Sequence, residues 1–257
     1  MTDELVRYSV GRGVATLTLD SPANRNALSA QLLDELSVGL ERALADDSVR
    51  VVVLGNTGPV FCAGMDLKAA AVADPEKQPV LAFPRILQRI WDSPKPVVAR
   101  VGGKARAGGL GLIAACDIAV AAASADFAFT EVRLGVIPAV ISIPVLPRML
   151  PRAAHELFLT GEVFDGPRAA AAGLLNVAVP DPELDAEVDR YCGLLAQGAP
   201  GALAATKRLL RRTPGASMAD DFAELSALSA KHFASPEGQE GIAAFREKRP
   251  AHWVPQG

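Results

Sequence analysis

Cysteine and histidine are scarce, three of each in 257 residues, and neither is grouped. Cys62, Cys116 and Cys192 lie far apart and are odd in number, which argues against a disulfide framework and against a CxxC metal knuckle. Cys62 and Cys116 sit among apolar residues and read as buried thiols. His155, His232 and His252 form no HExxH pattern, so no metal ligand set is expected. No apolar run reaches the ~18 residues of a membrane span. The opening "MTDELVRYSV" has neither the basic nor the apolar region of a signal peptide, and a cytoplasmic protein without a membrane partner is expected. Basic charge is also lacking: the net charge is -3, and in "KRLLRR" (207–212) leucines separate the cations at helical spacing. That excludes a bulk nucleic-acid surface. A Walker-type loop is missing because Lys104 is followed by alanine, and no GxGxxG follows an N-terminal strand, which weakens an NAD-linked oxidoreductase reading.

What is present is apolar residue in quantity, 50% of the chain, enough to bury one large core. "VATLTL" (14–19) alternates as a strand does, and "SPANRN" supplies turn residues behind it. Leu32, Leu33, Leu36, Leu40, Ala43 and Leu44 recur on one helical face, and "VRVVVLG" (49–55) reads as a fully buried strand. A helix around 83–91, a strand at "KPVVARV", a short helix ending near Cys116, and strands at "DIAVAAA", "DFAFTE" and "LLNVAVP" continue the alternation, which predicts an α/β fold. Residues 183–246 read as helices broken at "GAPG" and "RRTPG", so a boundary is placed near residue 190, dividing 1–190 from 191–257.

Two stretches concentrate glycine. Gly108 and Gly109 precede "LGLIAAC", so their loop ends at a helix N-terminus, where unpaired N–H groups and the helix dipole favour negative charge. Glycines that only allow close helix packing are the alternative. "GNTGPVFCAGMDL" (55–67) also follows a buried strand and is expected to turn into a helix with Asp66 in its first turn. Two such loops in one domain offer two backbone N–H groups to a single oxygen, an oxyanion hole.

The stretches "SPANRNALS" (21–29), "FCAGMDLK" (61–68), "GGKARAGGLGLIAACDIAVA" (102–121), "FAFTEVRLGVIP" (127–138), "LTGEVFDGPRAAAAGLLNVAVP" (159–180) and "GIAAFREKRPAHW" (241–253) together resemble the crotonase, or enoyl-CoA hydratase/isomerase, superfamily. The resemblance spans nearly the full length and implies a crotonase-like spiral of ββα units with a C-terminal helical trimerisation region. It implies an acyl-CoA thioester substrate, a homotrimer or a dimer of trimers, and no cofactor beyond the coenzyme A of the substrate. By position it assigns the oxyanion donors to the N–H groups of Met65 and Gly108, and C2 proton transfer to Glu131. The alternative for Glu131 is a surface carboxylate paired with Arg133. Asp66, Leu67, Lys68, Arg25 and Lys248 are implied to lie along the CoA, with solvated surface charges as the alternative for Lys68 and Lys248.

Two departures bear on the reaction. Gly111 stands where the best-known hydratases of this family carry a first catalytic glutamate, and is read as making room for a branched or longer acyl chain. "VIPAVIS" (136–142) replaces the family's glycine-rich run and, with "GLGL", looks most like the branch that includes 3-methylglutaconyl-CoA hydratases. Arg106 would then face a substrate carboxylate, or be an exposed loop cation. The expected activity is addition of water to a 2-enoyl-CoA. Isomerisation of a 3-enoyl-CoA by Glu131 alone, and acyl-CoA binding without catalysis, are the alternatives.

Overall fold

The computed structural model describes residues 4–66, 79–215 and 217–255. Its larger sheet has six strands in the order β1 (Val6–Gly11), β2 (Val14–Leu19), β3 (Val51–Asn56), β5 (Val97–Val101), β7 (Ile118–Ala122) and β10 (Val177–Val179). Only the β1–β2 hairpin is antiparallel. All six residues of β3 are buried, as expected of a parallel strand covered on both faces. β2 alternates instead: Ala15, Leu17 and Leu19 are fully buried while Val14, Thr16 and Thr18 are half-buried.

A second, smaller sheet is made of β4 (Val60–Cys62), β6 (Lys104–Arg106), β8 (Asp126–Ala128) and β9 (Phe164–Asp165). Each of its first three strands directly follows a strand of the large sheet. Among the described residues a helix comes next: α2 (Pro79–Asp92) after β3 and β4, α3 (Gly108–Ala115) after β5 and β6, α4 (Ala139–Val145) after β7 and β8. This is the expected ββα spiral.

α1 (Ala30–Ala45) starts where Ser29 accepts a hydrogen bond from the Leu32 N–H, and it lays Leu32, Leu33, Leu36 and Leu40 on the core. α5 (Pro151–Thr160) and α6 (Gly166–Ala171) flank β9 in sequence. The boundary expected near 190 falls inside α7 (Leu184–Ala196), whose buried Leu184, Val188 and Cys192 belong to the same core as the strands. The helices that contribute no residue to that core come after it: α8 (Pro200–Leu210), α9 (Met218–Phe233) and α10 (Pro236–Glu247). α9 has no buried residue, and Met218, Phe222 and Phe233 on it are exposed.

α8 is anchored to the sheet by charge. Lys207, only 7% exposed, places Nζ 2.6 Å from Asp117 and donates to the Lys95 carbonyl at 3.0 Å. Arg211 reaches the other Asp117 oxygen at 2.9 Å, and that aspartate also accepts from the Val97 N–H at 2.8 Å. Removing one member of such a group leaves buried charge uncompensated. Asp117→Ala is expected to lower stability in urea unfolding by about 3 kcal/mol, and a change below about 1 kcal/mol would show that the cluster is not an anchor.

Candidate active site

β4, β6 and β8 run parallel and side by side, with Cys62 opposite Ala105 and Arg106 opposite Ala128. Their carboxyl ends therefore open at one edge, the place where parallel sheets commonly bind ligands. Met65 follows β4, Gly108 follows β6 and Glu131 follows β8 within three residues in each case.

The β4 loop is held by a one-residue bridge to "NRNAL". The Leu28 N–H donates to the Gly64 carbonyl at 2.8 Å, and the Leu28 carbonyl accepts from the Asp66 N–H at 3.3 Å. In a parallel bridge the residue between those two partners turns its own N–H to the other side. Met65 thus faces its N–H away from Leu28, toward the side on which β4 pairs with β6. Asn26, fully buried and at φ 52°, fixes the same turn. Its Oδ1 accepts from the Ser21 N–H at 2.7 Å, and its Nδ2 donates to the carbonyls of Thr57 at 3.2 Å and Val60 at 2.7 Å. Sequence reasoning did not single out Asn26. An asparagine next to a turn is its one legible signal, since that residue tolerates positive φ.

The two glycine loops touch. Gly64 has φ 89°, and a Cβ added there would lie 3.0 Å from the Ala107 Cβ, 3.3 Å from the Arg106 oxygen and 3.6 Å from the Gly108 nitrogen. A side chain at 64 would therefore meet both strained backbone and the neighbouring loop. Ala107, itself at φ 47°, supplies no side-chain cap to α3. Among the described residues neither the Met65 nor the Gly108 N–H donates to a protein acceptor. The site thus has two neighbouring amide donors, one on an uncapped helix terminus.

Glu131 is not on the strand that the pattern predicted. β8 stops at Ala128, and Glu131 opens a 3-10 turn, Glu131–Leu134. Its expected apolar neighbours Val132, Leu134 and Val136 point outward, yet the glutamate itself is 9% exposed. The Ala107 N–H donates to the Ala128 carbonyl at 3.2 Å, which keeps the end of β8 beside the start of α3. Arg133 does not pair with Glu131; its Nε donates to the Thr160 carbonyl at 3.3 Å. No donor among the described residues reaches the buried Glu131 Oε2. Burial pushes this carboxyl above the ordinary range, with its own backbone N–H acting slightly the other way.

The remaining expected residues divide clearly. Arg25, exposed and left-handed at φ 55°, accepts through its carbonyl from the Ala63 N–H at 3.1 Å, which brings it to the β4 loop. The Asp66 carboxylate accepts from Asn24 Nδ2 at 3.0 Å. Leu67 and Lys68 lie outside the described residues, as does the helix expected after Asp66. Arg106 is engaged elsewhere: its guanidinium ion-pairs with Asp126 and donates to the Asp126 carbonyl at 2.8 Å, turned back along β8. Lys248 caps α10 at φ 56°, and the tail behind it is held at the amino end of β3, where Arg50 donates to the Trp253 carbonyl at 2.9 Å.

Gly111 does not open a space. A Cβ there would lie 2.6 Å from Ile141 Cγ2, 3.1 Å from Ile141 Cβ and 3.6 Å from the Phe83 ring. The volume read as room for an acyl chain is filled by Ile141 of α4. The cysteines are buried thiols, and burial pushes Cys62 up to about 12. Among the described residues no cluster of potential metal ligands occurs, and no helix is long and apolar enough to cross a membrane.

Residues 9–256 match the family model described as Enoyl-CoA hydratase/isomerase. The chain belongs to the enoyl-CoA hydratase/isomerase family. A Thermus thermophilus protein named "Putative enoyl-CoA hydratase" is 36% identical over 242 residues, covering 92% of this chain and 96% of its own. The solved enoyl-CoA hydratase of Mycobacterium smegmatis is similar at 32% identity with a TM-score of 0.89, covering 98% of this chain and 99% of that one. An enoyl-CoA hydratase/isomerase from Marinobacter aquaeolei is similar at 31% identity with a TM-score of 0.89, covering 98% and 100%. Membership makes this chain an enzyme of the family with crotonase-like architecture.

Because the folded protein holds Glu131 at a raised pKa, its ionisation opposes folding: the stability present below the unfolded-state pKa is lost as pH rises through the folded-state value. Glu131→Gln is therefore expected to raise the Tm at pH 8 and to leave it nearly unchanged at pH 4. An equal shift at both pH values in thermal unfolding would contradict a buried, strained carboxylate.

Proposed function

We propose that the protein adds water across the double bond of a 2-enoyl-CoA thioester, with the Met65 and Gly108 N–H groups on the thioester oxygen and Glu131 moving the proton. The observation that carries this reading is the buried carboxyl oxygen without a donor, placed at the same strand edge as two unused amide donors. Water oxygen bonds to C3, and the π electrons pass to the thioester carbonyl as an enolate. Glu131 takes the proton that the water gives up and returns it to C2 as the enolate collapses. Two amides fixed by Gly64 and by the start of α3 meet the developing oxyanion without reorganising, and one such donor contributes about 3 kcal/mol to the transition state.

Asp66, Leu67, Lys68 and Arg25 flank the same loop in sequence or space and are assigned to the CoA moiety, with Arg25 the exposed cation for its phosphates. Lys248 is assigned to a CoA phosphate. The assembly assigned is a homotrimer or a dimer of trimers. Its support is the exposed apolar surface of α9 and of Val136, Ile137 and Ile143. Sedimentation equilibrium is expected to return three or six times the chain mass, and a monomer would contradict it.

Isomerisation of a 3-enoyl-CoA is the second reading, favoured by the apolar Ile141 where another acid would stand, because a single carboxylate suffices to carry one proton from C2 to C4. Separate incubations with crotonyl-CoA, 3-methylglutaconyl-CoA and a 3-enoyl-CoA distinguish them. Water addition is expected, falling by about 100-fold or more in Glu131→Gln. The kcat/KM profile is expected to lose activity as pH falls through a carboxyl value above the ordinary ~4.3 of glutamate. Double-bond migration without water addition selects the isomerase, and ester binding without turnover selects a non-catalytic acyl-CoA binder.

A further inference from the structure

The first turn of α3 is walled by hydrocarbon. A Cβ at Gly108 would meet Leu28 Cδ1 at 2.8 Å and the Phe83 ring at 3.5 Å, and one at Gly111 would meet Ile141 and the same ring. Positions 108 and 111 lie one above the other on a helix, a turn apart. The Phe83 and Ile141 side chains therefore line the helix face that runs one turn on from the Gly108 N–H, the amide assigned to the acyl carbonyl.

Both residues belong to helices that also border an apolar cavity. On α4, Ile141 and Val145 are buried at 3% and 0% exposure, and half-buried Val140, buried Pro144 and exposed Ile143 line a cavity of about 360 Å³. On α2, Phe83, Leu87 and Ile90 are all buried, and Leu87 lines that same cavity together with Pro84 and Trp91. Ile141 and Phe83 thus face the start of α3, while their neighbours Val140, Pro144, Pro84 and Leu87 on the same two helices line the apolar space. Its β-branched side chain has one strongly preferred rotamer in a helix, so Ile141 cannot swing aside as a leucine or methionine would.

We propose that Ile141 is the specificity-determining residue that limits acyl size, restricting the site to short hydrocarbon enoyl-CoA esters. This rests on the function proposed above and names its substrate class. A longer chain meets the Ile141–Phe83 wall, and shortening residue 141 joins the site to the space between α2 and α4.

The test compares kcat/KM for crotonyl-CoA and 2-octenoyl-CoA in wild type, Ile141→Val and Ile141→Ala. Wild type is expected to favour crotonyl-CoA. Ile141→Ala is expected to raise the octenoyl-to-crotonyl ratio by at least about 10-fold, since one methylene in an apolar pocket changes discrimination by about that factor. Ile141→Val removes a single methylene, keeps the packing against Gly111, and is expected to shift the ratio the same way by less. A merely structural role would lower both activities together and leave the ratio unmoved, which overturns the inference. A wild type that already favours the octenoyl ester overturns it too. Failure of the wild type to turn over either ester removes the functional reading beneath it, an outcome distinct from an unmoved ratio.

Discussion

The close approach of Gly64 to the start of α3 is the constraint on which the site depends. Three short parallel strands end at one edge, but parallel strands alone leave their loops a strand spacing apart. Only a residue without a side chain, in a left-handed conformation, lets the β4 loop come to within a Cβ contact of Ala107 and Gly108. The bridge from Leu28 then decides which way the following amide faces, and buried Asn26 holds the turn that supplies Leu28. Backbone geometry, built from residues with no catalytic chemistry of their own, thus sets where the two amides proposed to hold an oxyanion come together.

Against that polar edge the protein places a carboxylate it does not satisfy. A buried carboxyl oxygen without a donor opposes folding, and neighbouring Arg133, which could relieve it, is turned to the Thr160 carbonyl instead. Elsewhere the chain pairs its buried charge carefully, as with Lys207 and Arg211 on Asp117. The saturated cluster under α8 contrasts with the donor-free Glu131 oxygen at the strand edge, and it is this contrast that supports the proton-transfer role proposed for Glu131.

Much of the larger sheet was legible because its strands are buried runs or clean alternations, as in "VRVVVLG" and "VATLTL". The smaller sheet was not, since strands of two or three residues such as Lys104–Arg106 carry no period and present charged residues. Glu131 was found as a residue but misplaced on a strand, because "DFAFTE" alternates past the point where the chain turns into 3-10 geometry. Arg106 could not be resolved from local sequence: its partner Asp126 lies on the adjacent strand, and only the β6–β8 pairing brings them together. The same holds for Gly111. Its small size was visible, but Ile141, thirty residues on, fills the space, and that contact belongs to the packing of α3 on α4. Family resemblance located the two amides and the carboxylate as positions; the bridge, the touching loops and the missing partner of Glu131 became visible only in three dimensions.

A crystal structure with butyryl-CoA, a saturated thioester that cannot react, tests the central claim most directly. The account predicts the thioester oxygen about 2.9 Å from both the Met65 and Gly108 nitrogens, with the Glu131 carboxylate facing C2. A thioester oxygen turned to solvent or held by one amide alone, or an acyl group on the far side of α3 from Glu131, would contradict it.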